Sequence, residues 1–253
     1  MVGEATIIGA LVGIVIVLNR ILITKLSPLF KTLYSDASSS FLNLLKVFCV
    51  VILVGIIVGI MVKKEPMISG SGIPQLEGIL GKKIKINWLK VLFYKFFGGI
   101  LSLSAGLSVG REGPSVQMGG AVGEGFSKVF KRINIEEKFL ITSGASAGLS
   151  AAFNAPLSGV IFALEEVHKN FSPLVLLSAM ASSLAADFVC KQFLGLEPAM
   201  SFKNVDVFPL KYYWLLLIMG VFVGISGMIF NKGLLKSQDI YGKLKKVPVE
   251  IKV

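Results

Sequence analysis

Three short runs of the sequence combine glycine, proline and one polar side chain that can bind or exchange an ion. They are Gly-Ser-Gly-Ile-Pro-Gln at 70–75, Gly-Arg-Glu-Gly-Pro-Ser at 110–115 and Phe-Asn-Ala-Pro-Leu at 153–157. Proline is favoured in the first turn of a helix because its missing N–H had no partner there. Each run therefore predicts the start of a helix, where free N–H groups and the positive end of the helix dipole attract anions.

The first run supplies the candidate anion ligands Ser71, Gly72 and Ile73. Glycine on each side of Ser71 lets an ion approach the backbone closely. The Ser71 hydroxyl adds an uncharged donor, so an anion that binds there can also be released. The simpler alternative is that Ser71 only caps the following helix, and this alternative is favoured if the run is taken alone.

The second run places Glu112 among Gly110, Arg111 and Gly113, which are further anion-binding candidates. Glu112 follows the uncharged run 96–110, so we expect it deep in the membrane, where an ionisable group is costly. A charged carboxylate beside an anion site can occupy that site itself, and a protonated one leaves it. Such behaviour makes Glu112 a candidate gate and proton carrier, whereas the alternative is an ordinary acidic cap at a helix start.

The third run is followed by an apolar stretch that ends in Glu165 and Glu166. Asn154 and Pro156 are expected to end one helix and start another, which places the two carboxylates at the far end of a short helix, near water. One of them could exchange protons with solvent and pass them inward to Glu112. The local sequence alone favours the alternative, an interfacial acidic pair that marks the end of a helix.

These runs lie between apolar segments that must position them. The chain is 54% hydrophobic and 16% charged, whereas a soluble domain carries about a quarter charged residues. The surplus apolar surface predicts a chain that faces lipid, with its first segment retained as a membrane helix. The apolar segments lie at 5–24, 44–62, 91–109, 139–152, 157–167, 171–189 and 212–231.

Several of these segments are shorter than the roughly 20 residues that a spanning helix needs. No charge occurs between 139 and 164, but Gly144, Gly148, Asn154 and Pro156 are expected to interrupt the stretch. This pattern predicts half-helices that meet inside the membrane. Transporters build ion sites at such breaks, because freed backbone groups are tolerated there only where protein or water satisfies them.

The net charge of +11 does not indicate a nucleic-acid partner, because the basic residues sit in short stretches between apolar segments. The positive-inside rule places such stretches in the cytoplasm. Cys49 and Cys190 are isolated in apolar segments, so both are expected to be buried and no metal site is predicted. The two basic clusters comprise Lys63, Lys64, Lys82, Lys83, Lys85, Lys90 and Lys95, and in the tail Lys232, Lys236, Lys243, Lys245, Lys246 and Lys252.

In their order and spacing the three runs resemble the signature segments of the CLC family of voltage-gated-type chloride channels and proton/chloride antiporters. The likeness extends from about residue 40 to the end and includes Ser115–Gly120 and Gly144–Glu166. It implies an all-α integral membrane protein with the CLC-type inverted-repeat fold, broken re-entrant helices and a pore in each subunit of a homodimer. Within a single membrane domain, residues from about 1–195 would form the first repeat, and those from about 205–253 the first helix of the second.

The resemblance also implies roles for three residues. Ser71 would be the central anion ligand, Glu112 the external gating glutamate and Glu166 the internal proton-transfer glutamate of the antiporter branch. Channels of the family generally lack an acid at the last position, so Glu166 favours proton-coupled chloride antiport over a passive chloride channel. Serine at 71 resembles chloride-selective more than nitrate-selective members, and the fluoride-exporting branch departs at both Ser71 and Glu166.

The second half of the family's pore is not recognisable in the sequence. Its Gly-x-Phe-x-Pro segment and late ion-coordinating tyrosine have no counterpart, since Tyr94, Tyr212, Tyr213 and Tyr241 lie in other places. We therefore expect that this chain alone does not complete a conduction path. A non-conducting fragment that needs a second-half chain is thus a further alternative.

An enzyme is not expected, because the single histidine, His168, has no HExxH motif around it. No catalytic residue and no cofactor are predicted, and chloride is the expected bound substrate. The expected partners are chloride, protons, the lipid bilayer and a second copy of the protein, without nucleic acid. The expected location is a multi-pass position in a bacterial-type plasma membrane.

Overall fold

The computed structural model describes residues 1–196 and 209–243, which form helices and contain no strand. A π-helical turn at Ala163–His168 continues the seventh helix, and 3₁₀ segments occur at Asp36–Ser39, Pro66–Ile68 and Leu210–Tyr212. The prediction of an all-α fold is confirmed. The α-helices of this described part are α1 (Val2–Ser35), α2 (Phe41–Lys64), α3 (Ile73–Leu80), α4 (Trp88–Ser104), α5 (Glu112–Val129), α6 (Asn134–Phe153), α7 (Pro156–Phe162), α8 (Pro173–Leu194) and α9 (Trp214–Lys243).

The helices differ in whether they can cross a bilayer. Among the described helices, α1, α2, α8 and α9 are long and apolar enough to do so. By contrast α3 has 8 residues and α7 has 7. At 1.5 Å per residue they are only about 12 and 10 Å long, so neither crosses a hydrocarbon core of about 30 Å.

The centre of the fold is the antiparallel pair α5 and α6. A Cβ added to Gly119 would lie 2.9 Å from the carbonyl carbon of Gly144, and one added to Gly144 would lie 2.9 Å from the carbonyl carbon of Gly119. Gly123 and Gly148, four residues further along each helix, also face the backbone of the partner helix. Small residues at this spacing let two membrane helices approach closely.

Helices α1 and α8 pack against each other and against α6. Serine hydroxyls join α6 to α8: the Ser146 and Ser183 oxygens are 2.6 Å apart, Ser150 donates to the Ser183 carbonyl at 3.0 Å, and Ser146 also donates to the Ala179 carbonyl at 3.5 Å. Such bonds satisfy buried hydroxyls between membrane helices. The largest apolar cluster lies at this junction and includes Ile8, Val12, Ile16, Met118 and Leu140.

The break between α6 and α7 occurs at the predicted place. Asn154 adopts a left-handed conformation with φ of 55°, and Pro156 opens α7. Arg20 of α1 donates to the Asn154 side-chain oxygen at 3.2 Å, which ties α1 to the break. The prediction that Gly144 and Gly148 also interrupt the stretch is wrong, because both lie inside a continuous α6 and serve its close approach to α5.

Residues 144–148 also spell Gly-x-Ser-x-Gly, the letter pattern of a serine-hydrolase nucleophile. In those enzymes the serine sits exposed on a sharp turn between a strand and a helix. Ser146 instead lies in the middle of α6, fully buried, with its hydroxyl against Ser183. The run therefore serves helix packing and provides no exposed nucleophile.

Helices α2 and α9 expose most of their surface. α2 buries only Val54, Val58 and Gly59, and no residue in the described length of α9 is buried. Cys190 is buried as predicted, but Cys49 is exposed on α2. The prediction of burial is wrong for Cys49 because none of the described helices covers this face of α2, which is apolar and available to lipid.

Two predictions fall partly outside the described residues. The division between the two repeats, at about 195–205, lies largely on residues 197–208, and the tail lysines Lys245, Lys246 and Lys252 lie after residue 243. The division into repeats stays a prediction.

Candidate functional site

The first glycine-rich run forms a tight loop before α3. Gly70 and Gly72 have positive φ values of 68° and 93°, which glycine adopts without strain, and α3 then begins at Ile73. The Ser71 hydroxyl oxygen accepts from the Ile73 N–H at 3.4 Å, the long limit of a hydrogen bond. Ser71 thus directly precedes Gly72, the N-cap of α3, and its exposed side chain remains available to a ligand.

Three side chains fix the shape of this loop through its carbonyl groups. Lys95 of α4 donates to the Ile68 carbonyl at 2.8 Å and to the Gly70 carbonyl at 2.7 Å. Gln117 of α5 donates to the Met67 carbonyl at 2.8 Å, and Gln75 of α3 donates to the Ser69 carbonyl, also at 2.8 Å. The loop that carries Ser71 is therefore held by three different helices.

Lys95 corrects one prediction and adds a candidate functional residue. It was expected in a cytoplasmic basic cluster, but its side chain is only 5% exposed and lies beside the Ser71 loop. The Ile68 and Gly70 carbonyl oxygens take the place of the water molecules that would solvate the ammonium group of an exposed lysine. The available signal was its position inside the apolar segment 91–109, because an ionisable residue within a membrane segment indicates function.

The second glycine-rich run meets the first in space. α5 begins at Glu112, with Arg111 as the residue before it. A Cβ added to Gly113 would lie 2.6 Å from the Ser71 carbonyl oxygen and 2.8 Å from the Ser71 Cβ. Only glycine at this position lets the starts of α3 and α5 touch.

A cavity of about 410 Å³ opens at this meeting point. We call it the serine cavity. Its polar lining residues include Ser71, the basic residue Lys95 and the acidic residue Glu112. A cation and two helix starts around a small cavity favour an anion. The other lining residues include Gly70, Tyr94, Ser102, Gly110, Gly113 and Pro114.

Glu112 also lines a second cavity of about 380 Å³, which we call the arginine cavity. This cavity is lined by Arg20 and Asn19 of α1 and by Arg111. Both cavities are lined by Leu103, Val109, Gly110 and Glu112, and Glu112 is the ionisable residue among these four. Arg111 does not line the serine cavity, so any anion that it binds lies in the arginine cavity.

Two other predicted ligands are near the serine cavity without lining it. Gly72 packs against α5, since an added Cβ would lie 2.6 Å from the Gln117 Cβ. The Ile73 side chain packs in the apolar cluster that contains Leu76 and Leu80. Of the predicted anion-binding residues, the structure brings Ser71, Gly110 and Gly113 together with Glu112.

Glu166 lies away from this cavity, in the π-helical turn that continues α7, and it is exposed. Two contacts fix the end of the turn. His168 Nδ1 is 2.9 Å from the Thr142 hydroxyl, and Lys169 forms a 2.8 Å ion pair with Glu77 in the last turn of α3. The hydrogen bond to Glu77 raises the pKa of Lys169, so the lysine is charged and available for this pair at neutral pH.

Helix α3 therefore connects the two candidate ion-handling regions. Its first residue follows the Ser71 loop, and its last turn carries Glu77, the partner of Lys169. The helix is about 12 Å long. Ser71 and the end of the Glu166 turn are consequently at opposite ends of one short helix.

The short helices begin in glycine-rich runs and meet at a polar cavity, among helices of bilayer length. This arrangement defines a membrane protein of the broken-helix class. The family model described as voltage gated chloride channel matches residues 54–253. The chain belongs to this family, the CLC family.

Named relatives agree with this assignment. The H(+)/Cl(-) exchange transporter ClcA of Vibrio parahaemolyticus is 38% identical over 184 residues, which are 72% of this chain and 39% of that protein. ClcA of Salmonella paratyphi B is 38% identical over 192 residues, 73% of this chain and 41% of that protein. The chain thus spans about two-fifths of the length of these relatives.

Solved structures show the same fold. A slow cyanobacterial Cl-/H+ antiporter matches 96% of this chain with a TM-score of 0.88 and 32% identity, over 58% of its own length. A CLC-type fluoride/proton antiporter matches with a TM-score of 0.75 and 23% identity, covering 98% of this chain and 60% of its own, and shows the fold alone. The predicted CLC-type membrane fold with broken helices is confirmed.

Proposed function

We propose that this chain supplies the first half of the ion path of a proton-coupled chloride antiporter. One observation carries the proposal: Glu112 lines two cavities at once and stands where the starts of α3 and α5 meet. The relatives named as H(+)/Cl(-) exchange transporters support the choice of ions. The plasma membrane and a homodimer are part of the same proposal.

Chloride binds in the serine cavity. The Ser71 hydroxyl donates to it, and Lys95 stabilises its charge from the cavity wall. In a site of low dielectric constant this attraction is stronger than in water. Ser71 carries no charge, so the anion is held weakly enough to leave.

Glu112 makes chloride and protons exchange rather than flow independently. When charged, its carboxylate competes with chloride for the same positive wall. When protonated, it loses that attraction, and chloride replaces it. Each protonation of Glu112 therefore opens the position to an anion, and each deprotonation closes it.

Glu166 takes up protons at the other end of α3. Its exposure in the described chain gives it access to solvent, and the two contacts at His168 and Lys169 hold the turn that carries it. The two glutamates lie near opposite ends of α3, which is about 12 Å long, so water molecules must relay the proton between them. No cofactor is part of this proposal.

Transport in liposomes tests the proposal. The chain is reconstituted together with a chain that supplies the rest of the relatives' length, and chloride and proton movements are recorded under a chloride gradient. We expect chloride to drive protons uphill. Glu166→Gln should abolish proton movement and leave chloride flux, whereas Glu165→Gln, a change at the neighbouring carboxylate, should leave both.

Chloride flux without proton movement in the unchanged protein would show a passive channel and refute the antiport proposal. Loss of coupling in both glutamine variants would refute the specific role of Glu166.

A further inference from the structure

A third cavity, of about 430 Å³, lies between the α3–α4 loop, the end of α5 and the start of α6. We call it the lysine cavity. It is separate from the serine and arginine cavities and shares no lining residue with either. Its charged lining residues are Lys82, Lys85, Lys128, Lys138, Glu124 and Glu137.

Positive charge is in excess in this cavity, with four lysines against two glutamates. Lys128 forms an ion pair with Glu124. Lys82, Lys85 and Lys138 have no ion pair with any described residue. Three lysines that converge on one cavity without carboxylate partners favour an anionic ligand with several oxygen acceptors, such as a phosphate group.

Glu124 gives a second, independent indication of a ligand. Its side chain is only 4% exposed, and one carboxylate oxygen is paired with Lys128. The other oxygen is buried and has no hydrogen-bond partner among the described residues. Buried polar atoms are rarely left unpaired, so a ligand that carries a hydroxyl or ammonium donor next to its phosphate would satisfy it.

The surroundings of the cavity show which phosphate compound fits. Lys128 and Asn134 line the cavity, and four apolar residues lie next to them in the sequence. The side chains of these four are 56–67% exposed: Val129, Phe130, Ile133 and Ile135. Exposed apolar side chains at the helix ends do not help to bind a small water-soluble ligand, but they can pack against the acyl chains of a lipid. Basic pockets between membrane helices on the cytoplasmic side bind anionic headgroups.

We propose that the lysine cavity binds the headgroup of an anionic phospholipid. The phosphate lies against Lys82, Lys85 and Lys138, and a headgroup hydroxyl donates to the free oxygen of Glu124. The same cavity is lined by Ile79 of α3, so a bound lipid supports the helix whose other end follows Ser71. This binding does not depend on the proposed transport activity.

Native mass spectrometry of the purified chain in detergent tests the proposal. The probes are phosphatidylglycerol, phosphatidylcholine, inorganic phosphate and glycerol 3-phosphate, each titrated separately. We expect the chain to retain phosphatidylglycerol in preference to the other three. A lysine near an anionic surface contributes about a fivefold gain in binding, so Lys82→Gln, Lys85→Gln and Lys138→Gln combined should weaken it about a hundredfold.

A matched control removes three exposed lysines of the same region that do not line the cavity: Lys83→Gln, Lys90→Gln and Lys131→Gln. This variant has the same net charge and should keep phosphatidylglycerol binding within about twofold of the unchanged chain. Arginine at positions 82, 85 and 138 should restore it. Unchanged helix content by circular dichroism shows that each variant is folded.

Equal losses in the two glutamine variants would show general attraction to a basic surface and overturn the proposal. Preferential binding of inorganic phosphate or glycerol 3-phosphate would identify a soluble ligand and overturn the lipid assignment. Equal retention of phosphatidylcholine and phosphatidylglycerol would exclude selection by charge.

Discussion

At the scale of single residues, the serine cavity is lined by side chains of opposite charge, Lys95 and Glu112, together with the uncharged Ser71. In the proposed mechanism Glu112 competes with the anion, Lys95 attracts it, and Ser71 binds it without charge. Sequence patterns identify Ser71 and Glu112 because each stands in a glycine- and proline-rich helix start. Lys95 has no such pattern, since its two carbonyl partners lie 27 and 25 residues before it and only the fold brings them together.

Removal of the Glu112 carboxylate should separate anion flux from pH. Glu112→Ala takes away the tethered competitor and the proton acceptor together, so chloride flux through the completed protein should vary by less than about twofold between pH 4 and pH 7. Flux measurements in liposomes at several pH values check this. Glu165→Ala serves as the control, and a Glu112→Ala protein that keeps the pH dependence of the unchanged one contradicts the assigned role.

Replacement of Lys95 should damage both the loop and the anion site. Lys95→Met leaves the Ile68 and Gly70 carbonyls without their donor, at a cost of about 2 kcal/mol or a fall of about 4–8 °C in Tm. Loss of the nearby charge should also weaken chloride binding about tenfold. Thermal unfolding in detergent and calorimetric titration with chloride measure these two effects.

The matched change is Lys90→Met, which removes an exposed lysine of the same helix and should alter neither quantity. Lys95→Arg should recover chloride affinity better than Tm, because it keeps the charge but not the compact geometry of the ammonium. Normal chloride affinity in Lys95→Met would exclude its electrostatic role.

At the scale of helices, the sequence predicts where the short helices start but not how they are packed. α3, α5 and α7 begin at Ile73, Glu112 and Pro156, each within its predicted run. Proline and glycine have local conformational effects, so these starts can be read from neighbouring residues. The mutual packing of Gly119 and Gly144 depends on two residues of different helices, and a single sequence does not reveal that they meet.

A methyl group at this contact should separate α5 from α6. Gly144→Ala would place a Cβ 2.9 Å from the Gly119 carbonyl carbon, where only backbone is available to move. Overpacking of this kind costs about 1–3 kcal/mol, and Tm should fall by several degrees. Gly224→Ala in α9, where no atom lies within 4 Å of the added Cβ, is the control and should leave Tm unchanged or slightly raised.

At the scale of the whole molecule, the described chain is packed on one side and open on another. α5 and α6 are enclosed by α1, α4 and α8, whereas no residue of the described part of α9 is buried. Composition and hydropathy predict membrane residence for both parts, but they do not distinguish a helix that faces lipid from one that faces a missing partner helix.

The two tryptophans report separately on the packed and open parts of the chain. Trp88 opens α4 and lies against α5, since a Cβ added to Gly125 would be 2.6 Å from its ring. Trp214 opens α9 and is 57% exposed. Trp88→Phe and Trp214→Phe each leave one reporter, and quenching of its fluorescence by acrylamide measures access to water.

If α9 packs against the remaining half of the protein, addition of a second-half chain should protect Trp214 in the Trp88→Phe variant. The same addition should leave quenching of Trp88 in the Trp214→Phe variant unchanged, because its environment is already complete in α4 and α5. A 1:1 complex in size-exclusion chromatography with light scattering should accompany the protection. Unaltered quenching of Trp214 within such a complex would show that α9 faces lipid in the assembled protein. The second half would then have to close the serine cavity from the side of α2 and α4.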